Sequence, residues 1–393
     1  MHQEADRDIR LMHRAGYSHR RVATGLSVAS AVLLLTACGG SSAPLQTSSP
    51  APVASGSSAS GQTTAASSTS AKPAAAQAGS AGGQATAQAS GKLPKVVASY
   101  SSVAADFMQV WVAKEAGLFE EHGLDVDLQS VTGAVGIASL LAGETQIDAN
   151  GGPTLLGPVA NGGDIAVVAT PVPVYPYKLE VPASIRSNAD LRGKKVGITS
   201  FGTSSDVGIR AALGKLGLTP DSDVSIVQLG STAARIAALE KGEIQGTVGE
   251  PVDTIPLEGK GFHPLFDLAS LGLPAANGVI DVKRSWINSN RDSVQKYVDA
   301  IVDAGVLEKK DKAFALQVLK KYLKVDDQAA LEASYGYFVE QIFPPLPAPK
   351  PEQFTGSIEE LGKKDPKVQA LDANKIIDAS FVQDAAKRGL GQP

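Results

Sequence analysis

From Lys95 onward, short apolar runs alternate with stretches in which apolar residues return every three or four positions. The first kind predicts strands and the second amphipathic helices. The alternation is written twice, about 99 residues apart. Lys95-Val96-Val97-Ala98-Ser99-Tyr100-Ser101 opens the first copy and Lys194-Lys195-Val196-Gly197-Ile198-Thr199-Ser200 the second. Each leads into a helix. Phe107, Val110 and Trp111 mark the apolar face of one, and Ile209, Leu213 and Leu216 that of the other, with Gly117 and Gly217 placed to end them. A second strand follows in each copy, over 123–128 and 223–229. Thr132-Gly133 and Ser231-Thr232 then have the chemistry of helix N-caps. The helices they open finish as Leu140-Leu141-Ala142-Gly143-Glu144 and Leu239-Glu240-Lys241-Gly242-Glu243, and a third strand follows each, over 146–149 and 245–248. A register shared through these elements reads as duplication, or at least as twin lobes of one build. The generic rhythm of βαβ units is the rival reading.

Strands alternating with helices imply the α/β class with mainly parallel sheets. Ligands of such sheets bind beyond the carboxyl ends of the strands, where helix N-termini aim free N–H groups. Two like lobes facing each other line one cleft from both sides. The first wall is then Tyr100, Ser101 and Ser102, with Thr132, Gly133, Asn150 and Gly151. The second is Ser200, Phe201, Gly202, Thr203 and Ser204, with Ser231, Thr232 and Glu250. Such tips offer hydroxyls and bare amides, suited to an anionic or strongly polar small ligand. Phe201, Tyr100 and Tyr175 are candidates to stack on a flat ligand, with core packing as the rival for each. Glu250 is a candidate partner for an amine or ring nitrogen, with a solvated loop acid as its rival. No lysine lies in the walls, and Arg210 and Arg235 fall two turns and one turn inside helices. An anion would therefore lean on backbone amides and helix dipoles.

The chain leaves the first lobe after the strand 165–170 and the prolines Pro171, Pro173 and Pro176. A further strand runs over 177–181, residues 191–195 enter the second lobe, and residues 266–280 return. Two crossings make a two-strand hinge, which permits closure about a ligand. The expected division is 93–182 plus 277–393 for lobe one and 183–276 for lobe two. The tail is helical: Val294, Val298, Ile301 and Gly305 share one face, Leu331, Tyr335, Phe338 and Ile342 another, and a last helix lies near 378–387. These helices are expected to pack on lobe one.

Composition changes the picture mainly at the N-terminus. Arg20-Arg21, an apolar run from Leu26 to Leu35 broken by Ser27 and Ser30, and then Thr36-Ala37-Cys38 form the pattern of a secretory signal over 1–37. The run is shorter than the roughly 20 residues a bilayer span needs. Residues 39 to 91 are almost wholly Ser, Ala, Gly, Thr, Gln and Pro, with Lys72 the only charge. Such a stretch cannot bury enough apolar surface to order itself. Residues 38–92 thus read as a tether with a reach on the order of 40 Å. Met12 is an alternative start, and general secretion and twin-arginine export both stay open. The 393 residues carry a formal net charge of −4, and five Arg against three acids lie in 1–37, so the remainder is more acidic still. No basic block marks a nucleic-acid partner. Cys38 is the only cysteine, and His122 and His263 are the histidines beyond it. Neither sits in a nucleophile, H-E-x-x-H or metal-ligand spacing. Gly197 to Thr203 is Gly-rich but lacks the lysine of a nucleotide loop. No catalytic residue, metal or cofactor is expected.

Two resemblances follow from these residues. Leu35-Thr36-Ala37-Cys38 resembles the lipobox of bacterial lipoproteins. It implies a lipid on the Cys38 thiol and a protein anchored at the outer face of the bacterial cytoplasmic membrane. Ala113-Lys114-Glu115-Ala116-Gly117-Leu118-Phe119-Glu120-Glu121-His122-Gly123-Leu124-Asp125-Val126, Leu141-Ala142-Gly143-Glu144 with Asp148, and Asp190-Leu191-Arg192-Gly193-Lys194-Lys195-Val196-Gly197 resemble the solute-binding proteins of the nitrate, sulfonate, taurine and thiamine-precursor group. The resemblance runs over 95–390. It implies a two-lobe periplasmic-binding-protein-like fold of type II, with twin mainly parallel sheets. It implies capture of a small anionic or polar organic solute between the lobes, by a monomer that serves the permease and ATPase subunits of an ABC importer. In such proteins the ligand is held at Ser200 to Ser204 and at the loop with Glu250-Pro251, and Val252 stands where relatives often place an aromatic. A thiamine-precursor pyrimidine or other heteroaromatic, and a tethered sensory receptor, are the alternatives. An enzyme on the same fold is the weaker reading, because the cysteine-rich motif of the fungal pyrimidine synthases is missing.

Overall fold

Strands covered by helices on both faces read as apolar runs rather than as alternations. The first, β1 (Lys95–Tyr100), is buried from Ala98 onward on both faces. The computed structural model describes residues 93–392; the signal read over 1–37, Cys38 and the tether to residue 92 lie outside the described residues. After β1 come α1 (Met108–Glu115), α2 (Leu118–Glu121), β2 (Asp125–Ser130), α3 (Gly133–Ala142), β3 (Ile147–Asn150), α4 (Gly152–Ala160) and β4 (Ile165–Val174). The chain crosses to β5 (Lys178–Pro182). The second copy follows as β6 (Lys194–Ile198), α5 (Ser204–Lys215), β7 (Val224–Gln228), α6 (Thr232–Glu240), β8 (Gly246–Gly249), α7 (Pro251–Glu258) and β9 (Phe262–Asp267). Strand β10 (Pro274–Lys283) returns. The tail is α8 (Arg284–Lys310), α9 (Lys312–Leu323), α10 (Gln328–Tyr337), α11 (Glu352–Gly362), α12 (Pro366–Gln369) and α13 (Ser380–Lys387).

Two five-stranded sheets result, ordered β2-β1-β3-β10-β4 and β7-β6-β8-β5-β9. In the first, β1 lies parallel to β2 and β3, and β10 runs antiparallel between β3 and β4. The second repeats this pattern with β6, β7 and β8 parallel and β5 antiparallel between β8 and β9. The 99-residue offset carries β1 onto β6, β2 onto β7 and β3 onto β8, and it continues one element further, from α4 onto α7. The fourth place in each sheet is filled by a strand that adjoins a crossing. Strand β5 belongs to the second sheet, so the first crossing falls before Lys178 rather than at 183. An apolar rhythm announces a strand but not the sheet that takes it. Here Leu179 and Val181 complete the second lobe's core.

Trp111, Phe119, Tyr297 and Phe338 fill the layer between the first sheet and α1 and α8. Ile137, Leu155 and Phe354 fill the opposite face beneath α3, α4 and α11. The tail does not rest on lobe one alone. Helix α10 packs on α7 and α11 packs on α5, both in the second lobe. Tyr335 donates to the Glu308 carbonyl of α8 at 3.0 Å, while its neighbour Tyr337 donates to Asp267 Oδ1 at the end of β9 at 2.8 Å. The amphipathic pattern shows that such a helix has a face to bury, but one face can serve two partners. Among the described residues no helix is long and apolar enough to cross a membrane.

Candidate binding site

Helices α3, α4, α5, α6 and α7 all begin at the carboxyl ends of strands, and Gly133, Gly151, Ser204, Thr232 and Glu250 stand at or beside their first turns. All five residues line a single cleft of about 500 Å³ between the lobes. Ser101, Ser102, Asn150, Thr203 and Ser231 line it as well. Ten of the expected wall residues are therefore brought together. Tyr100, Thr132, Ser200, Phe201 and Gly202 are not among the lining residues. Tyr100 turns into the core, edge-on to Trp111 at 5.8 Å and to Tyr322 at 6.5 Å. Phe201 sits exposed on the second lobe with the Arg210 and Lys364 cations over its ring. Tyr175 is buried in the second lobe's core, its hydroxyl 3.4 Å from Ser357 Oγ.

Much of the hydroxyl and amide chemistry at the tips is spent on the scaffold. Thr203 Oγ1 donates to the Ser200 carbonyl at 2.7 Å, and Ser231 Oγ caps α6 by accepting the Ala234 N–H at 3.3 Å. Asn150 Nδ2 donates to the Gly133 carbonyl and to Asp148, both at 2.9 Å. Two bonds from the cleft walls span the lobes. The Ala105 N–H donates to Glu250 Oε2 at 2.9 Å, and Ser204 Oγ donates to the Asn277 carbonyl at 3.3 Å. Gly151 lies so close to Ser204 that a Cβ on it would meet Oγ at 2.7 Å.

The charges of the cleft were mostly missed by sequence reasoning. Asp106, Asp253 and Arg235 line it beside Glu250, with Tyr177 and Asn277 from the crossings. Arg235 is only 4% exposed, and its Nη2 donates to Thr232 Oγ1 at 2.8 Å. It thus reaches the cleft from the first turn of α6. Arg210 does not, being engaged by Asp206 and Asp221 at 2.6 Å each. Asn277 Nδ2 donates to Asp106 Oδ2 at 3.2 Å. Burial pushes Asp106 up to about 7 and Glu250 well above the usual carboxylate range; the charge of Asp253 adds to both rises and that of Asp106 to the rise of Glu250. Burial also raises Asp253 and lowers Arg235. Among the described residues no cluster of three His, Cys, Asp or Glu side chains is arranged to hold a metal.

Residues 104–306, half of the chain, match the family described as NMT1/THI5 like. The chain belongs to that family. A Brucella abortus (strain 2308) protein, named only as a binding protein, is 28% identical over 221 residues, spanning 55% of this chain and 67% of its own. Among solved structures, the alkanesulfonate-binding protein SsuA from Xanthomonas axonopodis pv. citri, bound to MOPS, superposes with a TM-score of 0.61. It is 18% identical and covers 74% of this chain and 99% of its own. The nitrate-binding protein NrtA from Synechocystis PCC 6803 gives 0.61 at 15% identity, over 76% of this chain and 89% of its own. At these identities the likeness shows the fold, which is the type II periplasmic-binding-protein architecture. In this NMT1/THI5-like chain the cleft described above lies between the two sheets, at the carboxyl ends of their parallel strands.

Proposed function

We propose that the protein is the extracytoplasmic solute-binding component of an ABC importer, which captures a small polar organic solute between its lobes. The observation that carries this reading is the cleft itself. Both copies of a duplicated scaffold aim helix N-termini into it, and two strand crossings carry the chain between the lobes. Its volume of about 500 Å³ suits a small molecule and not a polymer. The importer's permease and ATPase are the expected partners of a monomer. A lipid on Cys38 would hold that monomer at the membrane's outer face within tether reach of the permease.

The test is isothermal titration of the full chain with small sulfonates, nitrate, amino acids and heteroaromatic acids, joined to small-angle scattering. The expected result is micromolar or tighter binding by one class, with a smaller radius of gyration when it is bound. Chemical conversion of the bound compound, or no binding by any class at millimolar concentration, would overturn the proposal.

A further inference from the structure

The charged residues of the cleft are the places where the repeat breaks. At the 99-residue offset, Asp106 is answered by Ser205, Arg235 by Gly136, Glu250 by Gly151 and Asp253 by Thr154. Every charge has an uncharged counterpart, so none is demanded by the duplicated scaffold. Asp106 and Glu250 come from opposite lobes and meet where the Ala105 N–H bonds to Glu250. Both carboxyl groups are more than nine-tenths buried, and burial disfavours ionising either of them without a cation beside it. Around them stand Asp253, Arg235, Tyr177 and Asn277. Asp106 Oδ1 and Asn277 Oδ1 are buried acceptors without a partner, and Arg235 Nε and Nη1 are buried donors without one. Buried groups left unpaired are costly. A ligand with a donor at one end and an acceptor at the other relieves both sets.

We propose that the cleft takes a small dipolar solute whose basic nitrogen lies between Asp106 and Glu250 while its acidic end faces Arg235. The inference rests on the solute-binding reading and names its ligand class. No covalent bond changes. The ligand ammonium takes the place of a proton held on these buried carboxyls, and that proton passes to solvent. A bare anion is disfavoured, because it would leave the carboxyl pair without its cation.

Matched pairs test this on the full chain by isothermal titration: taurine against ethanesulfonate, β-alanine against propionate, and 4-(aminomethyl)benzoate against 4-methylbenzoate. In at least one pair the amine should bind, and its deaminated partner should bind at least about thirtyfold more weakly, as for loss of a buried charged partner. Titration at pH 7 in two buffers of different ionisation enthalpy should show net proton release on binding the amine. Asp106→Asn should weaken the amine at least about tenfold and reduce that release. The proton count on the unsubstituted chain decides the matter even if the variant folds poorly. Equal binding of a deaminated partner, or amine binding without proton release, overturns this inference and leaves solute capture standing. If no member of any pair binds at millimolar concentration, this inference fails, and solute capture fails with it only if nitrate and the heteroaromatic acids do not bind either.

Discussion

Asp148 and Asp281 are register partners across β3 and β10, both buried in the first lobe. Asp148 accepts from Ser99 Oγ at 2.6 Å, whereas neither Asp281 oxygen has a partner. Burial raises both, Asp148 to about 6, and the Asp148 charge raises Asp281 further. A carboxyl held above its ordinary range costs no stability while the unfolded chain is also protonated. The cost grows as pH rises past about 4, and it is complete above the folded value. Asp281→Asn should therefore stabilise the fold at pH 8 by roughly 1–3 kcal/mol and change little at pH 4, as read by urea unfolding. At this scale the sequence was only partly legible. Gly, Ser and Thr at strand ends could be placed because the element rhythm places them. Asp106 and Arg235 could not, since each looks like an ordinary polar position on its helix and gains its role from the facing lobe. The signal that was available lay in comparing the two copies, where a charge opposes Gly, Ser or Thr.

Among the elements, α10 joins what the hinge separates. Tyr335 pins it to α8 and Tyr337 to the end of β9, one contact in each lobe. The Tyr337 bond favours the arrangement in which the lobes meet. Tyr337→Phe keeps the ring and removes the hydroxyl, which should cost about 1 kcal/mol of that preference. Ligand affinity should fall severalfold, with the unfolding midpoint nearly unchanged; equal affinity by titration would show that α10 moves with one lobe alone. The strands and helices themselves were legible because buried runs and helical spacing survive without tertiary context. The tail's double attachment was not, because an amphipathic face does not name the surface that covers it. The boundary near Lys178 escaped for a related reason: Leu179 and Val181 suit either sheet.

Over the whole molecule, closure depends on how nearly the lobes can approach. Gly151 has ordinary extended backbone, φ −79° and ψ 126°, so a side chain there strains nothing locally. Its open space is taken by Ser204 of the other lobe. Gly151→Val should act as a spacer, weakening ligand binding at least about tenfold, a cost typical of overpacking. The larger radius of gyration should persist with ligand by small-angle scattering, and urea stability should stay unchanged. The two-lobe architecture was legible from the 99-residue repeat, and the interlobe bonds were not, since they join residues as far apart as Ala105 and Glu250. The sheet order also bears on how the chain is made. Among the described residues β10 is the strand that pairs along β4, and the whole second lobe lies between them in the chain. As the polypeptide emerges from its N-terminus, Ile165–Val174 must wait, apolar and unpaired, until residues 274–283 follow. Such a segment invites pairing with other nascent chains. Pro171 and Pro173 interrupt it, and neither can donate to a foreign strand, so the long wait is guarded by the residues that wait.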